Sequence, residues 1–286
     1  MSLGILTNVA ATYAENNLNQ TQGSLQTVLQ QLSSGSRINS GADDAAGLSV
    51  ADGLHANEAA LTQSAQNAQN GVGLLQTADG ALSQVTNLLD RATTLATEAQ
   101  NGGLTAAQTT AADTEYQSII TEIGNIGTAT TFNGTAVFGA GATNFVVTDG
   151  TTTGTTTIGA VIGALTGGSV GTTGAPTATT AGAGAVLTGT SLVTGAAAAL
   201  TAVTAAVADV ANQRGSIGAN INQLNAAANV ASSEEVNLSS AESSIRSTNY
   251  GQATSDLAKF QVLSQTGISA LAQANSVQQE ILKLLQ

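Results

Sequence analysis

Cysteine and tryptophan are absent from the 286 residues, and Pro176 is the single proline. Without cysteine there is no disulfide framework, no thiolate metal site and no thiol nucleophile, and the redox compartment stays open. Aromatic residues make up only 2% of the chain. Few of the large side chains that usually fill a thick globular core are therefore present. Histidine occurs once, at His55, which excludes an HExxH pair and any multi-histidine metal site. Basic residues are nearly as scarce. Arg37, Arg91, Arg214, Arg246, Lys259 and Lys283 face 18 acids, for a net charge of −12. No basic cluster exists to neutralise phosphates or to meet an anionic membrane surface, so neither nucleic acid nor membrane is an expected partner.

Motifs of catalysis are missing too. No G-x-S-x-G elbow accompanies His55, and no phosphate loop can form where the first lysine is Lys259. Asp43 and Asp44 are adjacent, and neighbours diverge by about 100° around a helix, which makes them poor partners across one scissile bond. No catalytic, metal or cofactor residue is assigned, and the expectation is a protein that is not an enzyme. The opening "MSLGILTNVAATYAENNLNQ" has no charged n-region and no sustained apolar core. It does not read as an ordinary cleavable signal, so the expectation is a cytosolic protein or export by another route.

What is present is alanine, glutamine and leucine at helical spacing. Leu18, Leu25 and Leu32 lie seven apart, with Val28 and Leu29 between. Leu61, Ala65, Ala68, Val72, Leu75, Leu82, Val85, Leu89 and Ala92 follow steps of three and four, missing once at Asp79. The run ends near Asn101-Gly102-Gly103, where a glycine C-cap is expected. Thr105 and Gln108 then spell a capping box before Tyr116, Ile119, Ile120 and Ile123. Towards the C-terminus, Leu200, Val203, Val207, Val210, Ile217, Ile221, Leu224, Ala228, Ala231 and Leu238 share one heptad register, which Arg214 and Glu235 interrupt. At ~1.5 Å per residue that helix runs roughly 60 Å. A last amphipathic segment carries Leu257, Phe260, Leu263, Leu271, Ile281 and Leu285.

Between the helical halves lies a Gly- and Thr-rich middle, where "TNFVVTDGTTTGTTTIGAVIG" suggests short strands turning at Asp149-Gly150. Asn133-Gly134-Thr135, Asn19-Gln20-Thr21 and Asn237-Leu238-Ser239 are formal glycosylation sequons of a kind that arises by chance in so Asn- and Thr-rich a chain. O-linked sugar on the middle is the better expectation. The polar stretch "SSGSRINSGADDAAGLSV" reads as a joint between helices: Ser40 as N-cap, Asp43 at N3, Asp44 adding charge to the first turn, and Arg37 within reach of both acids.

These residues carry a resemblance. "LSSGSRINSGADDAAGLSVADGL", "QNAQNGVGLLQTADGALSQVTNLLDRATTLATEAQNG" and "TTFNG" resemble the N-terminal half of bacterial flagellin, and "NLSSAESSIRSTNYGQATSDLAKFQVLSQTGISALAQANSVQQEILKLLQ" resembles its C-terminal half. The resemblance implies a mainly α fold: a long antiparallel helical bundle or coiled coil built from both chain ends, with a small β-hairpin region in the middle. It implies an inner-core helix at 1–35, outer-core helices at 36–130 and 196–245, a short variable region at 131–195 and a second inner-core helix at 246–286. The implied function is polymerisation into the flagellar filament, with a hook–filament junction protein as the alternative. An adhesin with coiled-coil stalks is the reading from another class. Leu18, Leu25, Leu29, Leu32, Leu257, Phe260, Leu263, Leu271, Ile281 and Leu285 are the implied subunit-interface residues. Implied partners are further copies of the chain, the flagellar export apparatus, a chaperone on the C-terminal segment, hook-associated and cap proteins, and an innate immune receptor. The positions matching the receptor-contact region are Arg91, Leu95 and Glu122, although the sequence departs from the family around them at Asp90, Thr93 and Thr94. Gly215 is a further departure. The implied location is the extracellular filament, and both chain ends are expected to order only on polymerisation.

Overall fold

The computed structural model describes residues 8–139, 142–151, 154–166, 169–170, 185–187 and 189–284. The fold is mainly α. Among the described residues five helices, α1 (Val9–Ser34), α2 (Ala45–Ala99), α3 (Ala106–Ala129), α4 (Leu192–Arg246) and α5 (Tyr250–Leu284), flank in sequence a middle of short antiparallel strands. The chain divides into two compact units, Met1–Ala56 with Asn237–Gln286, and Asn57–Val236.

In the terminal unit α1 pairs with α5. The pair is antiparallel: Asn8 Nδ2 donates to the Ala274 carbonyl at 3.0 Å, Leu18 packs over Gly267, and Gly35 lies beside Tyr250. Ala11, Ala14, Leu18, Thr21, Leu25, Val28 and Leu32 on α1 face Ala253, Leu257, Phe260, Ser264, Gly267, Leu271 and Ala274 on α5, and all are at least half-buried. Both sets step by three and four, the spacing of a coiled-coil seam.

The central unit holds the main core. Leu75, Ala78, Leu82, Val85, Leu89 and Leu95 of α2 pack with Tyr116, Ile119, Ile120 and Ile123 of α3 and with Ala199, Val203, Ala206, Val210, Ile217 and Leu224 of α4. Again α2 and α4 run antiparallel, since Asp79 meets Arg214 while Gly71 meets Leu224.

The α4 seam corrects the register expected from sequence. The fully buried positions are Ala199, Ala206 and Gln213, one residue before Leu200, Val207 and Arg214, alternating with Val203, Val210 and Ile217. Arg214 lies at the seam's edge, donating from Nε to Asp79 Oδ1 at 2.8 Å. The interruptions read separately in two heptad runs are thus one ion pair. Ala78, not Asp79, fills the core.

The middle contains β1 (Thr131–Phe132) with β2 (Thr135–Ala136), β3 (Ala142–Val147) with β4 (Thr156–Val161), and β5 (Leu165–Thr166), β6 (Ser169–Val170) and β7 (Ala185–Val186) as a third sheet. Asn133 and Gly134, with φ of 49° and 76°, form a two-residue turn between β1 and β2. Positive φ at both positions marks a type I′ hairpin turn. Asp149-Gly150 is not the tight turn expected: it sits in the longer 148–155 connection, where Asp149 Oδ1 accepts the Thr151 amide at 2.8 Å. Buried Ser64 anchors that connection, donating to the Thr148 carbonyl at 2.7 Å and accepting the Thr148 amide at 2.9 Å.

The capping box of α3 is present at Thr105 and Gln108. The glycine cap expected after α2 is not. Gln100 and Asn101 instead donate back to Thr97 and Glu98 in a tightened last turn, and neither Gly102 nor Gly103 adopts positive φ.

Candidate functional site

Two polar breaks in the terminal unit, residues 35–44 between α1 and α2 and residues 247–249 between α4 and α5, are brought side by side. α1 ends on Gly35 at φ 71°, its amide donating to the Gln31 carbonyl. The left-handed conformation suits glycine, and a Cβ here would sit 2.9 Å from the Tyr250 hydroxyl. From Gly35 the chain runs antiparallel to the second break. The Thr248 amide donates to the Gly35 carbonyl at 3.0 Å and the Arg37 amide to the Arg246 carbonyl at 2.6 Å, with Ser36 opposite Ser247.

Arg37 is placed to close the C-terminus of α4. Its Nε and Nη2 donate to the Ile245 carbonyl at 3.3 and 3.0 Å, while Nη2 lies 3.6 Å from Asp44 Oδ2. A helix C-terminus carries carbonyls without intrahelical partners and a partial negative charge, so a guanidinium serves both needs. Buried Thr248 adds a bond from its hydroxyl to the Gln31 carbonyl of α1 at 3.2 Å. One strand of break thus satisfies the ends of two helices.

The adjacent acids divide the capping differently from the sequence reading. Ser40 is not the N-cap of α2. Asp44 takes that place: its carbonyl accepts from Leu48 at 2.9 Å and its Oδ1 accepts the Gly47 amide at 2.8 Å. Asp43 serves the turn before it, Oδ2 accepting from the Asn39 amide, the Ser40 amide and the Ser40 hydroxyl at 3.0, 2.8 and 3.1 Å. These bonds favour the charged carboxylate, so its pKa is lowered, the backbone bonds from Asn39 and Ser40 contributing most. A Cβ on Gly47 would run into the Asp44 carboxylate and lie 2.9 Å from Ile38 Cδ1. Ile38 is 1% exposed, the apolar plug of the joint. Within "GADDAAG", the first acid holds the turn, the second starts the helix and the last glycine leaves room for the second acid and for Ile38.

Sequence reasoning placed a boundary at 245/246 but did not name the residues of the second break, and it did not single out Ile38. The signal available was the polar run Ser247-Thr248-Asn249 closing one amphipathic segment and opening another. Arg246 also escaped notice. It pairs with Glu242 at 3.0 Å and approaches Asp52 at 4.0 Å, while His55 Nδ1 is 3.5 Å from Glu242 Oε2. The arrangement holds helices by hydrogen bonds and ion pairs.

Of the interface residues named from sequence, Leu18, Leu25, Leu32, Leu257, Phe260 and Leu271 lie half-buried in the chain's own α1–α5 seam. Leu29 and Leu263 are exposed, at 48% and 43%, beside Val9, Tyr13, Val262, Ile268 and Val277. The Ile281 side chain and all of Leu285 lie outside the described residues. Arg91 is exposed and holds Glu115 in a two-pronged ion pair of 2.7 and 3.0 Å. Glu122 is exposed and accepts from Asn125 at 3.1 Å. Leu95 is 2% exposed, so its side chain belongs to the core and not to the surface on which it was placed.

Residues 5–143 match the family described as the bacterial flagellin N-terminal helical region, and residues 200–285 match the bacterial flagellin C-terminal helical region. The chain belongs to the bacterial flagellin family. It is 38% identical to Flagellin 1 of Proteus mirabilis over 151 residues, 53% of this chain and 41% of that one. With Serratia marcescens flagellin it shares 41% identity over 137 residues, 48% of this chain and 39% of that one. The chain spans less than half the length of these curated flagellin relatives. The crystal structure of Bacillus cereus flagellin is 29% identical, with a TM-score of 0.44, covering 58% of this chain and 88% of that chain.

Proposed function

We propose that this chain is a structural subunit that polymerises into the bacterial flagellar filament. The observation that carries this reading is the bare apolar surface of the paired end helices. A two-helix seam buries one stripe of each helix, and here Val9, Tyr13, Leu29, Val262, Leu263, Ile268 and Val277 remain outside it. Large side chains left in water along both helices call for further helices to cover them, and further copies of the same chain supply these at every position of a helical polymer.

On this reading residues 1–35 and 246–286 form the inner layer of the filament wall, 36–130 and 196–245 the outer helical layer, and 131–195 the short variable region. Leu29 and Leu263 contact neighbouring subunits directly. Leu18, Leu25, Leu32, Leu257, Phe260 and Leu271 hold the pair that presents them. The role is structural rather than catalytic. Export through the flagellar apparatus, a chaperone on the C-terminal segment and contact with hook-associated and cap proteins accompany the same proposal, as does an extracellular location. Recognition by an innate immune receptor would use Arg91 and Glu122.

Electron microscopy of the full-length chain beside a polypeptide spanning Gly35–Tyr250 tests the proposal. Long tubes from the full-length chain alone are the expected result. Equally long tubes from the shortened chain would overturn the role of the ends, and short stubs from the full-length chain would point to a junction protein.

A further inference from the structure

Three Asn-Gly pairs occur in the chain, Asn70-Gly71, Asn101-Gly102 and Asn133-Gly134. Such a pair can react with itself, because glycine has no side chain to keep its amide nitrogen away from the neighbouring asparagine's carbonyl carbon. Whether it does depends on the freedom of the backbone, and the structure holds the three pairs differently. Asn70-Gly71 lies inside α2, its peptide committed to the helical ladder and Gly71 packed under Phe145 and Leu224. Asn133-Gly134 is clamped at positive φ between paired strand residues on both sides.

Asn101-Gly102 is held more lightly, the Asn101 amide donating to the Glu98 carbonyl at 3.0 Å and its carbonyl accepting the Leu104 amide at 3.3 Å, with no strand or helix around Gly102. It sits in the exposed turn between α2 and α3, and nothing lies within 4 Å of the position a Gly102 Cβ would take. Among the described residues no acceptor takes the Gly102 N–H. The side chain is also held over the following peptide, Asn101 Oδ1 accepting the Gly103 amide at 3.3 Å. That oxygen is the one that becomes negative when the carbonyl carbon beside it is attacked.

We infer that Asn101 is a self-modification site whose co-reactants are hydroxide and water. Hydroxide removes the Gly102 amide proton and the nitrogen bonds to Asn101 Cγ. The resulting oxyanion at Oδ1 is met by the Gly103 N–H, a donor in place before the charge develops. Collapse breaks the Cγ–Nδ2 bond, and Nδ2 leaves with a proton as ammonia. The five-membered imide left behind is opened by water at either carbonyl, giving an aspartyl or an isoaspartyl linkage at position 101, with no change of oxidation state. Either product puts a carboxylate just past the last turn of α2, at the negative end of the helix and near Glu98, where it weakens that turn. The isoaspartyl form also lengthens the backbone by one carbon. The α2–α3 turn therefore loosens with the age of the molecule, while the centre of α2 does not change.

Peptide mapping by mass spectrometry, on the folded full-length protein held in mildly alkaline buffer and on the same protein in denaturant, tests the inference. In the folded protein Asn101 converts first, on the order of tenfold faster than Asn70 and Asn133, and in denaturant the three rates converge. Replacing Gly103 by proline removes the donor and keeps the Asn-Gly pair. A fall in rate of roughly tenfold is expected, below the effect of a full oxyanion donor in an enzyme. If Asn101 converts no faster than Asn70 in the folded chain, the site is refuted. If the G103P chain keeps the parent's rate in the folded state, the role of the Gly103 amide is refuted.

Discussion

The two units use the same helical material to different ends. In the central unit three helices and the hairpins converge on side chains such as Leu75, Leu82, Leu89 and Tyr116, each with no exposed surface. In the terminal unit the buried apolar residues among those described are Val28, Ile38, Ala51 and Ala253, and the seam is otherwise half-open. A third layer makes the difference: two helices can cover only one stripe of each other, whereas three helices and a sheet close around a volume. The central unit is therefore built to be stable within one chain. The terminal unit is a pair whose outer faces remain unsatisfied.

The strongest test of that contrast is a matched truncation. Leu82→Ala leaves a cavity in a closed core and is expected to cost about 3–4 kcal/mol of unfolding free energy. Leu25→Ala, in the half-open seam, should cost about 1 kcal/mol, since water already reaches the site. Denaturant titrations of both variants check this, and equal losses would mean that the seam is as tightly closed as the core.

Next in size are contacts with no room to adjust. A Cβ on Gly127 would overlap the backbone carbonyl of Leu165, so Gly127→Ala must push β5 off α3 and should cost about 2 kcal/mol. Gly23 of α1 has nothing within 4 Å. Gly23→Ala should instead gain about 0.5–1 kcal/mol from helix propensity. Thermal melts that ranked the two together would erase the distinction between a filled unit and an open one.

How much of this was legible beforehand depends on what alanine conceals. The α2 seam was readable residue by residue, because Leu61, Leu75, Leu82, Val85 and Leu89 carry its period openly. On α4 Val203, Val210, Ile217, Leu224 and Ala231 are buried where they were read, but the eye is also drawn to Leu200 and Val207, and the buried positions there are Ala199, Ala206 and Gln213, one residue earlier. A buried alanine carries little apolar area, so it gives little hydrophobic signal in the sequence. The Asn133-Gly134 hairpin was missed although Asn-Gly beside a β-branched and aromatic pair is a strong turn signal. At the joint, two overlapping patterns competed. Ser40-x-x-Asp43 looks like a cap, and Asp44 with Gly47 is the one used, because Asp43 is already committed to Asn39 and Ser40. Of the apolar faces left bare by the terminal pair, only Leu29 and Leu263 were named beforehand, since periodicity says which residues are apolar and not how many helices will cover them.

Among the smaller effects, Asp44→Ala removes the cap of α2 and should destabilise its first turn by about 1 kcal/mol, with Asp44→Ser recovering most of it. Hydrogen exchange at residues 45–48 is the appropriate measurement. Protection lost there and unchanged in α3 would place the effect in the terminal unit, whereas loss in both would deny the units their independence.

The last and smallest effect concerns acid. Asp43 has a lowered pKa because its charged form accepts bonds from Asn39 and Ser40. In the central unit Glu115 is lowered by its bond to Arg91. A group whose pKa is lower in the folded state stabilises above its unfolded value, near 4, and that contribution fades as the pH falls through the folded value. Both carboxylates are solvent-exposed, so each contribution is small, and each is local. Asp43→Asn should flatten the acid dependence of exchange in residues 36–48 while leaving that of α3 as it was. Glu115→Gln should do the reverse, acting on α3 and the facing part of α2. If either variant flattened the acid response of both units together, they would be unfolding as one cooperative body, and the open pair could not loosen while the closed core stays folded.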